Sequence, residues 1–138
     1  MDRNTVVLGI YHPKRNVYVD GHGGMERSMA FLYTIDREGR KVSVVATGEM
    51  DIAAARPFGS ALCELPESEP TELIEVDLGG LIFIDSTGTA ALKRAHRTVA
   101  RHGCTLVLTN ATGLVLRVLE LTGTLAHLAP RADADAGA

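Results

Sequence analysis

The chain is predicted to be a single α/β domain built on a mixed β-sheet. Two strand-like segments flank Arg37-Glu38-Gly39-Arg40, which predicts an antiparallel hairpin with Gly39 at a positive φ. After residue 50, helical patterns alternate with apolar strand-like segments, which is typical of parallel strands joined by right-handed crossovers. A length of 138 residues suits one domain with a substantial core. We therefore expect the order strand, strand, helix, strand, helix, strand, helix, strand.

The first half of the domain is predicted to be the hairpin followed by one helix. The hairpin strands are expected at residues 31–36 and 41–47, where apolar and β-branched residues dominate. Asp51 is a good N-cap for a helix over residues 52–65. Residues 66–70 begin and end with proline and are otherwise polar, which predicts a loop.

The second half is predicted to contain three further strands and two helices. In order, we expect a strand at 71–78, a Gly79-Gly80 break before the apolar segment 82–84, a helix at 86–102, a strand at 104–108, a helix from about 110 to 121 and an edge strand at 124–128. The near-continuous apolar sequence of 104–108 predicts a central position in the sheet. One face of the first of these helices is basic and is expected to be solvated; it carries Lys93, Arg94, Arg97 and Arg101.

The two ends of the chain are expected to lie outside the main domain, which we place at residues 30–129. Residues 1–29 form an extension with strand-like segments at 5–10 and 16–19 and a glycine-rich hinge at 20–24. Because two strands alone are marginal in water, they must dock on the main body or on another copy of the chain, as in a homodimer. Residues 130–138 are small or acidic and are expected to be a disordered tail.

Composition argues against several classes of protein. A formal net charge of −3 gives no basic footprint for nucleic acid. No apolar run approaches the roughly 20 residues that span a bilayer, and the N-terminus has no export signal, so we expect a cytoplasmic protein. Cys63 and Cys104 have no Cys-x-x-Cys pattern and are expected to be small apolar residues in a reducing compartment. A redox-sensing disulfide between them is the less favoured alternative.

The most informative segment is Asp85-Ser86-Thr87-Gly88, where an apolar strand ends and a helix begins at once. Unpaired backbone N–H groups and the positive end of the helix dipole favour negative charge at such a position. A hydroxyl here can simply cap the helix, which is the common role of Ser and Thr. Alternatively, it can be phosphorylated and still be tolerated by the fold, as a regulatory switch requires. The pattern alone leaves both interpretations open.

Catalysis finds little support in the sequence. Nucleophile-elbow, phosphate-loop and metal-ligand patterns are all missing, so we expect no cofactor and no metal. Ser86 would need a nearby base, but His96 and His102 lie about 15 and 24 Å further along the same predicted helix. We therefore expect no catalytic residue and predict that the chain is not an enzyme.

Three motifs in consistent order resemble the STAS domain, the fold shared by sulfate transporters and anti-sigma factor antagonists. Gly48-Glu49-Met50-Asp51-Ile52-Ala53 resembles its Gly-Glu-Leu-Asp signature. The segment Phe83-Ile84-Asp85-Ser86-Thr87-Gly88 resembles its phosphoacceptor loop, Asp-Ser-Ser/Thr-Gly. Residues 114–123 are similar to its last helix, which commonly ends Leu-x-x-Thr/Ser-Gly.

The resemblance implies a stand-alone anti-sigma factor antagonist. In that family the Ser after the loop Asp, here Ser86, is phosphorylated by an anti-sigma factor with a histidine-kinase-like ATP-binding fold, and a phosphatase can reverse this. The unmodified antagonist binds the anti-sigma factor and frees the sigma factor for transcription, whereas the phosphorylated form is released. The resemblance assigns partner binding to Asp51, Asp85, Ser86, Thr87, Gly88 and Thr89. Many family members carry Leu where Thr89 stands, which puts partner choice or affinity in question.

Physical reasoning agrees with release as the outcome, and two other function classes stay open. A phosphoryl group adds about −1.5 to −2 charges beside Asp51 and Asp85, which an interface tolerates poorly because the charge must be desolvated. The first alternative is a STAS scaffold that is not phosphorylated and serves as a subunit of a larger signalling or lipid-transport assembly. A transporter tail is disfavoured by the missing membrane span, and an enzyme is the least favoured class.

Overall fold

The sheet of the domain is mixed, as the sequence predicts. The computed structural model describes the backbone of residues 4–11, and residues 31–128. The elements are β1 (Asn4–Tyr11), β2 (Phe31–Glu38), β3 (Lys41–Met50), α1 (Ile52–Ser68), β4 (Leu73–Ile84), α2 (Ser86–Ala100), β5 (Thr105–Thr109), α3 (Gly113–Leu121) and α4 (Thr124–Leu128). The described strands lie in the order β1-β2-β3-β4-β5. The β1–β2 and β2–β3 pairs are antiparallel, whereas β3–β4 and β4–β5 are parallel.

The predicted hairpin forms β2 and β3. Its strands run to the Glu38–Lys41 pair, so the turn is the two residues Gly39 and Arg40, with Gly39 at φ +66°. Such a tight turn needs a positive φ, which glycine adopts without a steric penalty. The hairpin prediction is confirmed.

The core lies between one face of the sheet and the helices. Alternate residues of β3 are fully buried, among them Val42, Val44 and Ala46. Leu92 of α2 is buried as well. Because β3 and β4 are parallel, their carboxyl ends lie at the same edge of the sheet, and α1 and α2 both begin there. This edge holds the candidate site.

Helix α1 is longer than predicted. It continues through Pro66 and ends at Ser68, so the predicted loop over 66–70 is wrong in its first half. Proline has no N–H to continue the helical ladder, which normally ends or kinks a helix. Here the Glu69 N–H still donates to the carbonyl of Leu65, and the Thr71 hydroxyl donates to the carbonyl of Glu69 at 2.8 Å, directly after the helix.

Strand β4 is one strand of 12 residues, although the Gly79-Gly80 pair predicted a break. The glycines are accommodated by slips in register against β3, between Val45 and Thr47 and again before Glu49. A Cβ on Gly80 would come within 2.6 Å of the Thr47 Cγ2 atom, so the close strand approach needs glycine there.

Two predictions near the C-terminal end of the domain are wrong. Strand β5 is an edge strand among the described residues and not a central one, and its side chains alternate between buried and less buried positions. Residues 124–128 form helix α4 and not a strand. Thr124 and Leu128 are both buried, and their spacing of four places them on one face of a helix.

The predicted first strand of the extension is confirmed as β1, which pairs with β2 of the same chain. The predicted segment 16–19, the hinge at 20–24 and the tail at 130–138 lie outside the described residues. Helix α2 ends at Ala100, two residues before the predicted end. Cys63 and Cys104 are free thiols, the second of them buried. In the described part of the chain, no helix is long and apolar enough to cross a bilayer.

Candidate functional site

The candidate site is formed where two neighbouring parallel strands end. Met50, the last residue of β3, is the register partner of Ile84, the last residue of β4. The next residues, Asp51 and Asp85, therefore leave the sheet side by side, on strands spaced about 4.8 Å apart. Each of these residues then begins a helix. The structure thus brings together the two acidic residues that the sequence motifs singled out.

Both carboxylates are helix N-caps with nearly the same geometry. The Oδ1 atom of Asp51 accepts the N–H groups of Ala53 and Ala54 at 3.1 and 3.0 Å. The Oδ1 atom of Asp85 accepts the N–H groups of Thr87 and Gly88 at 3.1 and 3.0 Å. Because these donors would otherwise be unpaired, each carboxylate fixes the first turn of its helix.

The Asp85 carboxylate has one further ligand. The hydroxyl of Thr87 donates to the same Oδ1 atom, so three donors converge on it. Thr87 is half-buried, and its hydroxyl already donates its proton within the loop. This leaves Ser86 as the neighbouring hydroxyl with a different environment.

Ser86 is the first residue of α2 and is exposed. In the described part of the chain its hydroxyl has no hydrogen-bond partner, while its carbonyl accepts the Thr89 hydroxyl at 3.0 Å. The helix is therefore capped by Asp85 and not by Ser86. Capping, the first of the two roles considered for this segment, is therefore performed by Asp85. The Ser86 hydroxyl forms no hydrogen bond with the described residues.

Gly88 and Thr89 lie beneath the surface of the loop. A Cβ on Gly88 would come within 2.6 Å of the Ile84 Cγ1 atom and 3.3 Å of the Met50 carbonyl oxygen. Thr89 is only 3% exposed. Glycine thus lets the start of α2 pack directly on the strand ends, and Thr89 supports the turn from inside.

Sequence reasoning missed a carboxylate contact elsewhere in β4, at Asp77, which lies eight residues before Asp85. The Asp77 carboxylate accepts the Gly79 N–H at 2.8 Å and the Asn110 side-chain amide at 3.0 Å, which ties β4 to the segment after β5. Asn110 is at φ +59°, a left-handed conformation that Asn tolerates better than most residues. An Asp before Gly-Gly and an Asn directly after a strand were the available signals.

The basic face of α2 differs from the prediction in one residue. Lys93 is half-buried, and its ammonium donates to the carbonyl of Thr122 at 3.1 Å, near the end of α3. A cation there compensates the unpaired carbonyls at a helix C-terminus. Lys93 therefore has a structural contact, whereas Arg94, Arg97 and Arg101 are exposed as predicted.

The histidine of α2, which could have served as a base, does not lie next to Ser86. His96 lies on the same helix, ten residues further along, or about 15 Å by the helical rise. No group of three or more His, Cys, Asp or Glu side chains could hold a metal in residues 4–11 and 31–128. Burial raises the pKa of the Tyr33 phenol and of the Cys104 thiol, and neither residue belongs to this loop.

The family follows from a match over most of the domain. Residues 33–128 match the family model described as "Mlab, STAS domain". The chain belongs to the STAS family. No curated protein matches the sequence.

Solved structures of STAS domains have the same fold. The anti-sigma factor antagonist SpoIIAA in its unphosphorylated form is 18% identical with a TM-score of 0.63, over 75% of this chain and 91% of that one. An anti-sigma factor antagonist from Mycobacterium paratuberculosis is 22% identical with a TM-score of 0.58, over 78% of this chain and 90% of that one. The murine anion transporter Slc26a9 is 14% identical with a TM-score of 0.56, and the match covers 96% of this chain but 21% of the transporter.

Proposed function

We propose that this STAS domain is an anti-sigma factor antagonist whose docking is switched by phosphorylation of Ser86. The observation that carries the proposal is the Ser86 hydroxyl, which is exposed and unpartnered in the described residues and directly follows the helix-capping Asp85. A kinase has access to this hydroxyl without opening the domain. The alignment with antagonist structures at the level of the fold agrees with this role.

The position of Ser86 explains why the domain itself tolerates the phosphate. Ser86 is the first residue of α2, where the helix dipole stabilises a negative charge by about 0.3–1 kcal/mol. No internal hydrogen bond of the Ser86 hydroxyl is lost in the described structure. Since Asp85 continues to cap the helix, we expect the fold of the modified form to be unchanged.

The same position explains why a docked partner is released. The added charge of about −1.5 to −2 lies next to Asp85 and near Asp51, so the loop becomes strongly acidic. A partner that covers the loop must desolvate this charge, at a cost of several kcal/mol unless it supplies matching cations. The expected partner is an anti-sigma factor that is itself the serine kinase and has a histidine-kinase-like ATPase fold. A phosphatase would restore the binding form.

The six residues predicted to bind the partner divide into two roles in this proposal. Ser86 and the exposed parts of Asp51, Asp85 and Thr87 contact the partner. Gly88 and Thr89 are buried, so they position the loop from beneath. The chain itself is proposed to be a cytoplasmic regulator and not an enzyme.

Intact-mass spectrometry with the cognate anti-sigma kinase and ATP tests the proposal. We expect one added phosphate of about 80 Da on the wild type and on a Thr87→Val variant, and none on Ser86→Ala. Thr87→Val is the matched control because it removes the neighbouring hydroxyl. Phosphate on Thr87, or continued labelling of the Ser86→Ala variant, contradicts the proposal.

A second candidate function is that of a scaffold within a larger assembly. The match to an anion transporter of which this chain spans about a fifth shows that the fold also occurs as one part of a larger protein. In this candidate the chain is an unphosphorylated subunit of a signalling or lipid-transport complex. The scaffold candidate predicts that the Ser86→Ala and Ser86→Asp variants bind the partner equally well. The antagonist proposal predicts that Ser86→Asp binds more weakly. Homodimerisation through the extension stays a prediction in either case.

A further inference from the structure

Helix α2 has an unusual distribution of charge for this protein. The chain as a whole carries a formal net charge of −3, yet residues 86–101 contain four cations and no acidic residue. One of the four, Lys93, donates a hydrogen bond to the Thr122 carbonyl. The remaining three, Arg94, Arg97 and Arg101, are exposed and form no ion pair in the described part of the chain. We call these three arginines the basic stripe.

The basic stripe continues the line of the phosphoacceptor along the helix. At 100° per residue, Ser86, Ala90 and the three arginines fall within a sector of about 80° around the helix axis. Arg94 lies about 12 Å from Ser86 along the axis, and Arg101 about 22 Å. The small side chain of Ala90 separates the hydroxyl from the arginines. A partner that covers Ser86 and lies along α2 therefore meets the basic stripe.

A groove between α1 and α2 widens this surface. A cavity of about 250 Å³ between the helices is lined by Arg94 and by Arg56 of α1. Arg56 and Arg94 also line a second cavity of about 190 Å³, which reaches Thr87 and Ile52. Ile52 is 66% exposed. The groove thus begins beside the phosphoacceptor loop with two cations and an exposed apolar side chain, while Glu64 and Glu67 line it further along α1.

We infer that the basic stripe and Arg56 form a docking surface for an acidic polypeptide segment of the protein partner. The inference rests on the proposed function for the identity of that partner, but not for the chemistry of the surface. Arginines without an ion pair among residues 31–128, on a net acidic protein, favour an acidic partner surface and accelerate its association. Residues 86–101 contain no Phe, Tyr or Trp for base stacking, and the overall negative charge opposes a long polyanion, so a protein segment fits better than nucleic acid.

This surface adds a second consequence to phosphorylation. A phosphate on Ser86 places negative charge at one end of a surface that attracts acidic groups. Arg56 and Arg94 line the cavity that reaches Thr87, so a phosphate on Ser86 competes with an acidic segment for these two cations. An acidic segment of the partner is therefore repelled where it was attracted before. Because the attraction between the arginines and an acidic segment is electrostatic, added salt is expected to weaken docking of the unmodified protein.

The inference can be tested on the full, unmodified chain without a kinase. The probe is a decaglutamate peptide, titrated into isotope-labelled protein at about 20 mM salt, where surface charges are weakly screened. Amide shifts are expected to concentrate on residues 90–101 and at Arg56. Arg97→Glu is expected to weaken binding at least threefold. The matched control is Arg117→Glu, which makes the same charge change on an exposed position of α3 and is expected to leave affinity within a factor of 1.5.

Each outcome decides the inference. Shifts confined to other surfaces, no binding at about 1 mM peptide, or equal weakening by Arg97→Glu and Arg117→Glu would overturn it. Tighter binding of a short DNA duplex than of the peptide would overturn the assignment to a protein segment. The result is independent of the proposed function, because failure of Ser86 phosphorylation leaves the peptide titration unaffected, and a failed titration leaves the phosphorylation test standing.

Discussion

The two capping aspartates provide a matched pair in which one additional hydrogen bond is measurable. Asp51 and Asp85 each accept two backbone N–H groups at 3.0–3.1 Å, but Asp85 also accepts the Thr87 hydroxyl. Loss of an N-cap carboxylate costs about 1 kcal/mol, with a usual range of 0.5–2. A further half-buried hydrogen bond contributes about another 1 kcal/mol. We therefore expect Asp51→Ala to lower the free energy of unfolding by about 1 kcal/mol and Asp85→Ala by about 2 kcal/mol.

Urea and thermal unfolding, followed by circular dichroism, measure this difference. For a domain of this size, 1 kcal/mol corresponds to a shift in Tm of about 4 °C, so we expect losses of about 4 and 8 °C. Thr87→Val isolates the additional hydrogen bond. It should cost about 1 kcal/mol in the wild type and much less in the Asp85→Ala background, because the acceptor is already gone.

The reasoning is refuted if Asp51→Ala destabilises the protein as much as Asp85→Ala, or if the Thr87→Val cost is the same in both backgrounds. Either result would mean that the three donors on the Asp85 carboxylate do not act together. The loop around Ser86 would then be held by packing alone, and the capping aspartate would lose its role in presenting the serine hydroxyl.

Three other predictions concern buried groups of the domain. Gly88→Ala forces a Cβ to within 2.6 Å of Ile84 and should cost about 1–3 kcal/mol in urea unfolding, although alanine favours helices; a stabilised variant would contradict the packing. Burial, with a contribution from a nearby glutamate, raises the pKa of the Tyr33 phenol, so its contribution to stability is complete below pH 10 and is lost as the pH rises through the higher folded pKa. Stability measured from pH 9 to 12 should therefore fall less steeply for Tyr33→Phe than for the wild type, and identical slopes would count against burial of the phenol. The half-buried Cys63 should react with a thiol reagent faster than Cys104, whose pKa is raised by burial; the test is the single-cysteine variants, and the reverse order would contradict it.

The parts of the fold that sequence predicted well depend on local signals. The turn with Gly39, the Asp51 cap and the start of α2 at Ser86 are each determined by short stretches of chain. The abrupt change from an apolar strand to a helix at Asp85-Ser86-Thr87-Gly88 located the boundary between β4 and α2 correctly. The residue that caps this helix is Asp85, whereas the sequence pattern favoured a hydroxyl.

The errors arise where tertiary contacts override local preference. Pro66 signals a helix end, yet α1 continues to Ser68, where the Glu69 N–H donates to the Leu65 carbonyl and the Thr71 hydroxyl donates to the carbonyl of Glu69. The position of β5 at the edge of the sheet depends on pairing with β4, which no local pattern of 104–108 reveals. The sequence around Lys93 does not show that the end of α3 lies beside it, so its contact with the Thr122 carbonyl could not be predicted.

The affinity of the anti-sigma kinase for two forms of this protein tests the central claim most directly. Isothermal titration of the kinase with the unmodified chain and with the chain phosphorylated at Ser86 gives both dissociation constants under one set of conditions. Desolvation of the added charge predicts that the phosphorylated form binds at least about 100-fold more weakly, while its thermal stability changes little. Equal dissociation constants, or a weakened complex that is explained by unfolding of the phosphorylated domain, would contradict the account.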